Sequence, residues 1–310
     1  MAGAEQTRPV PVVIVGAGPA GLVAAVTLAR DGIASLLVER NPGLSPLPRA
    51  TSVSTRTMEL LRSWGLEDEV RAGQLDITAV GAWAAETMAS PGGTLMPPGH
   101  PDLEQAAAAS PAPLAAVPQD HWEPVLLRHL ETLGLAEVRF GSELVALDQD
   151  ADGVTVALRE RATGRRRRVR AAYLVGADGA RSRVRSLLGI AMDGPDHLNE
   201  QLTVLFEAPL GDVVSDRGYG IYFIQHPEAG GVFVPDGGGN RWLYGRDWDR
   251  STNGCRTIPT TAWPASSGSR PPPPTCRSGW WPRARSRSRP RWPSATGRAA
   301  PSWSATPPSA

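Results

Sequence analysis

Apolar positions follow two rhythms over the first 250 residues. Val10–Val15 reads VPVVIV, a β-branched run without a polar break, which predicts a buried strand. The chain passes through Gly16-Ala17-Gly18-Pro19-Ala20-Gly21 into Leu22–Asp31, where apolar residues recur at helical spacing as far as Gly32. Ala34–Val38 is a second apolar run, closed by Glu39. Helical spacing returns over Thr55–Ser63, behind Ser54, and over Asp120–Leu133, with Pro124 placed in the first turn. Between these helices Ile77–Glu86 reads as a strand, and 90–118 is rich in Pro, Gly and Ala, which predicts an irregular excursion. Strand-like runs follow at Val138–Phe140, Leu144–Leu147, Val154–Arg159, Arg168–Ala171 and Tyr173–Val175, with Asp152-Gly153 as a hairpin signal. Arg181–Leu188 predicts a short helix. Beyond it Leu202–Glu207, Gly220–Gln225, Gly231–Pro235 and Arg241–Gly245 predict an antiparallel sheet.

The strand–glycine–helix–strand order carries chemistry. Gly16 lets the chain turn sharply off its strand, and Gly18 leaves room for a pyrophosphate against the backbone. Gly21 lets helix and strand pack closely. The helix N-terminus, opened by Pro19 and Ala20, then faces phosphate charge. Glu39 lies 18 residues past Gly21, close to the spacing of a ribose-binding acid. The expected fold is therefore α/β, with a Rossmann-like βαβ domain and a separate antiparallel sheet. The glycines do not separate FAD from NAD.

Composition divides the chain in two. All 31 acidic residues lie in 1–250, against 23 basic ones, a formal −8. Residues 251–310 carry nine arginines, no acid, and Ile258 as their one large aliphatic side chain. Such a segment buries too little apolar surface to offset its ordering entropy, so a disordered tail is expected. Every basic residue is Arg and none is Lys. Cys255 and Cys276 show no CxxC spacing, and His100, His121, His129, His197 and His226 share no metal spacing, so neither a disulfide framework nor a metal site is expected. Arg165–Arg168 reads as a solvated hairpin edge rather than a nucleic-acid patch, and Trp64 and Trp122 as core. No apolar run approaches a membrane span, and the first ten residues lack a signal-peptide layout. A cytoplasmic protein without membrane or nucleic-acid partners is the expectation.

Tyr173–Ile190, YLVGADGARSRVRSLLGI, is similar to the second flavin motif of the class A FAD-dependent monooxygenases, the p-hydroxybenzoate hydroxylase-like family. Pro48-Arg49-Ala50, RTMELLRSWGL over 56–66 and VPQDHWEPVLLRHL over 117–130 resemble that family too, with its aromatic and polyketide hydroxylases as the most similar subset. The resemblance runs from Val12 to Asp249. It implies FAD held by Gly16, Gly18, Pro19, Ala20, Gly21, Glu39 and Arg40. Arg49 would lie near the flavin and pyrophosphate, Gln119 at the flavin, and Asp178 and Gly179 near the riboflavin and pyrophosphate. It also implies an FAD-binding domain over 1–190 with inserted strands over 77–118, a partial substrate-binding sheet over 191–250, and the tail over 251–310.

The activity implied is hydroxylation of an aromatic substrate, polyketides among them, with NAD(P)H as co-substrate and O2 activated at the flavin C4a. No catalytic side chain is assigned. Another flavin oxidoreductase on the same scaffold, and an inactive truncated FAD-binding remnant, stay open as alternatives. A flavin halogenase is disfavoured, because the only Trp-rich match is Gly279-Trp280-Trp281-Pro282 in the tail. In the neighbouring reading frame Arg291–Pro308 permits Val-Ala-Glu-Arg-Tyr-Arg-Ser-Gly-Arg-Ala-Phe-Leu-Val-Gly-Asp-Ala-Ala, which resembles the family's missing third flavin motif. A frameshift between about 247 and 256 is the reading of the tail that this suggests.

Overall fold

A computed structural model of the chain describes residues 5–6, 9–75, 79–96, 103–195, 198–215, 217–227, 229–237, 240–247 and 285–286. In chain order the elements are β1 (Glu5–Gln6), β2 (Val10–Val15), α1 (Pro19–Arg30), β3 (Ser35–Val38), α2 (Thr55–Ser63) and α3 (Glu67–Arg71). Next come β4 (Ala79–Ala85), β5 (Thr94–Met96), α4 (Leu103–Ala109), α5 (Gln119–Leu133), β6 (Ala136–Arg139), β7 (Ser142–Asp150), β8 (Gly153–Glu160) and β9 (Arg166–Gly176). The last group is α6 (Arg183–Leu187), β10 (Gln201–Glu207), α7 (Leu210–Val213), β11 (Tyr219–Ile224), β12 (Gly231–Pro235), β13 (Arg241–Asp247) and β14 (Arg285–Ser286).

The first sheet runs β6-β3-β2-β9-β8-β7, with β1 also on β9. Its β6, β3, β2 and β9 are parallel, and β8 and β7 complete it antiparallel. The unbroken apolar run of β2 has a direct cause: both of its faces are covered. Val12 and Ile14 join the core under α1 and α5, whereas Val13 and Val15 join the core formed with β7, β8, β9 and α6. Ser54 caps α2 by accepting from the Thr57 amide, and Gly134, at φ 67°, ends α5 in the left-handed conformation.

The second sheet runs β14-β10-β13-β12-β11-β4-β5. It is antiparallel except where β4 joins β11 in parallel. One face carries an aromatic core in which Trp83 stacks on Tyr219 at 5.5 Å between ring centroids, with Tyr222 and Trp242 packed beside them.

Several expectations shift. Strands β4 and β5, from the segment counted with the first domain, supply the second sheet instead. The stretch over 90–118 holds β5 and α4 rather than irregular chain alone. Arg168–Ala171 and Tyr173–Val175 are one strand, β9, because its first half pairs with β8 and its second with β2. Pro124 falls in the second turn of α5, since the helix starts at Gln119. Of the tail over 251–310, only Arg285–Ser286 is described, as the edge strand β14. The rest of that segment, with both cysteines and Gly279–Pro282, lies outside the described residues, as do His100 and His197.

Ile14 is fully buried in the central strand, between the glycine turn and α5. Ile14→Ala should lower unfolding stability by about 3 kcal/mol, read as a lower urea midpoint with an unchanged slope.

Candidate flavin and aromatic-ring site

The turn between β2 and α1 leaves no space for side chains at two glycines. Gly16 has φ +106°, and a Cβ there would lie 2.4 Å from the Ala177 carbonyl oxygen. A Cβ on Gly21 would lie 1.8 Å from the Gly16 carbonyl oxygen. Gly18 differs, because an added Cβ would meet nothing nearer than Glu123 Oε1 at 4.0 Å. Two glycines are thus required by the fold and the middle one faces open space. Pro19 occupies the first turn of α1, Ala20 beside it is exposed, and no side chain caps that helix.

Glu39 ends β3 and folds back onto the same turn. Its Oε2 accepts from the Ala17 amide at 3.1 Å, and its Oε1 accepts from the Asn41 amide and side chain at 2.9 and 2.7 Å. The three glycines and Glu39 therefore meet in one groove.

Gln119 is buried at the start of α5 and ties the neighbouring loop down. Its amide donates to the Ala50 carbonyl, its Oε1 accepts from the Arg49 amide at 3.2 Å, and its Nε2 donates to Glu123 Oε1 at 2.6 Å. Burial pushes the Glu123 carboxyl up, while the Gln119 bond and the Arg49 charge oppose that. Glu123 was not anticipated. The available signal was a carboxylate on the apolar stripe of α5, which also carries Trp122, Leu126 and Leu130.

Asp178 serves a local purpose. Its Oδ1 accepts from Ser182 Oγ, and its Oδ2 accepts from the Arg183 and Val184 amides at 2.5 and 3.1 Å. The carboxylate thus fixes the loop onto the start of α6, and Asp178 also lines the cavity beside it. Gly179, at φ +80°, completes that loop with nothing within 4 Å of an added Cβ.

The Arg49 loop that Gln119 holds and the 178–181 loop line a cavity of about 470 Å³, whereas Gly16, Gly18, Gly21, Glu39 and Gln119 lie outside its lining. Arg40, Arg49, Ala50 and the 178–181 loop form one wall. The opposite wall is the second sheet, through Thr203, Val232, Val234, Leu243 and Gly245, with Gln201 at its end. Among the described residues the guanidiniums of Arg40, Arg49 and Arg181 make no hydrogen bond. An open glycine, an uncapped helix start and three uncommitted cations fit a dinucleotide pyrophosphate. The substrate-binding sheet expected over 191–250 carried no named site residue, because its lining residues look like ordinary strand residues in sequence.

The two walls are joined by one charged cluster. Arg241 Nη2 on β13 lies 2.6 Å from Asp120 Oδ2 on α5 and 2.8 Å from Asp236 Oδ2. Asp236 is completely buried, and neither of its oxygens has an aligned hydrogen bond among the described residues. Burial, then the Asp120 charge, push its carboxyl up to about 6, with Arg241 opposing.

A family model described as FAD binding domain matches residues 9–262. The chain belongs to that FAD-binding family, the class A aromatic monooxygenases. Aklavinone 12-hydroxylase of Streptomyces peucetius is 41% identical over 243 residues, covering 77% of this chain and 50% of the relative. The 2,4-dichlorophenol 6-monooxygenase of Cupriavidus pinatubonensis is 36% identical over 230 residues, covering 72% and 38%. Among solved structures, the flavin-dependent monooxygenase PieE with FAD and substrate superposes at TM-score 0.72 and 36% identity, over 80% of this chain and 44% of that one. A ternary complex of aklavinone-11 hydroxylase with FAD and aklavinone superposes at TM-score 0.69 and 36% identity, over 81% and 48%. The chain spans about half the length of the curated relatives it matches. Among the described residues no helix is long and apolar enough to cross a membrane, and no group of three His, Cys, Asp or Glu could hold a metal.

Two outcomes follow for this monooxygenase-family site. Gly18→Val should leave the melting temperature nearly unchanged but abolish measurable FAD uptake, whereas Gly21→Ala should cost about 3 kcal/mol of stability. Paired thermal melts and FAD fluorescence titrations separate these effects. The second concerns Asp236. Folding raises this acid above its unfolded value of 3.8, so the folded chain holds the extra proton between 3.8 and about 6. Its stabilising contribution is present at low pH and is lost as pH rises through about 6. Asp236→Asn should remove a slope worth on the order of 2–3 kcal/mol between pH 4 and 8, read from urea unfolding at each pH.

Proposed function

We propose that the chain supplies the FAD-binding and ring-facing part of a monooxygenase that hydroxylates a planar aromatic, of fused polyketide type, with NAD(P)H and O2. One observation carries this reading. A single cavity sets Arg40, Arg49 and Arg181 on one side against sheet residues Thr203, Val232, Val234 and Leu243 on the other. The PieE and aklavinone-11 hydroxylase complexes, solved with FAD and substrate, support it by their similarity.

FAD supplies the redox and oxygen-transfer chemistry when bound. The chain's own residues bind, orient and exclude water. Gly18 admits the pyrophosphate to the backbone, and the Arg40 and Arg49 guanidiniums balance its charge. Glu39, held by the Ala17 amide, stands where a ribose hydroxyl can donate to it. Gln119 and Glu123 hold the Arg49 loop at a fixed height over α5. Val232, Val234 and Leu243 offer a dry face to a flat ring, and Thr203 and Gln201 offer polar atoms at its edge. No side-chain nucleophile is needed. Nothing in the site favours a plain dehydrogenase, which would not require a second wall shaped for a ring.

For the tail, the proposal remains a shifted reading frame beyond about residue 247. Sequencing the gene across codons 245–260 and expressing both forms tests it.

The functional test is NADPH oxidation with fused aromatic phenols, scored by product that gains one oxygen atom. The frame-restored form should turn over in a ring-dependent way, and the 310-residue form should bind FAD more weakly. Ring-independent NADPH oxidation by both forms, without oxygenated product, overturns the hydroxylase reading. Arg49→Ala should weaken FAD binding by about tenfold, the loss of one charge-assisted contact.

A further inference from the structure

The charged cluster that joins the two walls lies outside the cavity lining. Arg241 and Asp236 do not line the cavity, yet Val234 and Leu243, two residues from each, do. Asp120 follows Gln119, the residue that ties down the Arg49 loop. Arg241 therefore bridges the first turn of α5 to the β12–β13 hairpin, two residues from the sheet wall and linked through Gln119 to the Arg49 loop of the other wall.

Both contacts of the bridge run through a single nitrogen, Arg241 Nη2. One guanidinium nitrogen lies 2.6 Å from one carboxylate and 2.8 Å from another, and the two acids come from different walls. Asp236 is held by its neighbour as well, since its amide donates to the Arg241 carbonyl at 3.0 Å. The groups facing it are Asp120 from α5 and Arg241 from β13, with Glu207 of β10 adding to the field at Arg241. A buried acid with no aligned hydrogen bond is costly, and leaving Arg241 would strand it further. The pair on α5 thus holds the hairpin at one distance.

We propose that Arg241 is a positioning residue: held between Asp120 and Asp236, it fixes the gap between the flavin wall and the ring wall of the cavity. A flavin carried by the first wall then meets a ring on the second at a set separation and tilt. This rests on the function proposed above, because the gap matters only if the two walls hold different partners. Reaction efficiency falls steeply with displacements of about 1 Å between such partners, which gives the device its value.

The test separates the clasp from that reading. Spin labels at Glu131 on α5 and Gln225 after β11, both exposed, report the gap in the full chain after Cys255→Ser and Cys276→Ser. Arg241→Met should widen the label distance distribution about twofold, and Arg241→Lys should widen it less, because an ammonium carries the charge without the fork. An unchanged distribution in both variants overturns the proposal, and if Arg241→Met fails to fold, Arg241→Lys decides alone. In the second arm, FAD affinity should stay within about twofold in both variants, whereas affinity of the FAD-loaded protein for 1,8-dihydroxyanthraquinone should fall about fivefold, restored in part by Lys. Equal loss of both affinities makes Arg241 a merely structural residue and overturns the proposal. Absence of FAD uptake by the unsubstituted frame-restored chain overturns the functional reading, and the label distances still decide the clasp.

Discussion

The approach of α1 to β2 is the constraint from which the site follows. The carbonyl of Gly16 occupies the volume that a Gly21 side chain would need, so the helix starts closer to the sheet than any other residue would permit. That approach brings Ala17 within reach of Glu39, and places Ala177 of the β9 loop against Gly16. Close packing, the Glu39 carboxylate on the turn and the loop after β9 are therefore one arrangement. The open space at Gly18 is what remains inside it.

The second sheet meets this arrangement through few contacts, and their chemistry is uneven. Apolar packing dominates within each layer: the aromatic core behind the sheet, and the aliphatic cores on both faces of the first. Between the cavity walls the bond is ionic. Apolar packing tolerates small slides, whereas a guanidinium between two carboxylates selects one distance. The combination suits a site whose two partners must lie at a set separation.

What could be read from sequence divides along the same line. The β2–α1–β3 unit was readable because glycine spacing and apolar runs are local, and Gly16, Gly18, Gly21 and Glu39 meet as expected. Gln119 and Arg49, seventy positions apart, were placed by resemblance, and their contact is long-range. Asp178 was placed by resemblance too, and its bonds to the first amides of α6 could not be read from the motif. Glu123 and the Asp120–Arg241–Asp236 cluster were missed because burial turns an ordinary charge into a special one, and burial is a property of the fold. Asp236-Gly237 looks like a surface turn in sequence, yet its carboxylate is completely enclosed.

The parallel pairing of β4 with β11 ties residues 79–85 to 219–224 across more than a hundred positions of chain. The second sheet is thus assembled from two distant stretches and cannot close until the later one has been synthesised. During translation, β4 and β5 must wait with their partner edge absent. A fragment ending at residue 190 would leave β4 without β11, a bare row of amides and carbonyls that invites pairing with another chain. The folding unit is therefore the whole of 9–247, however the sequence is divided on paper, and its formation is governed by slow, non-local closure.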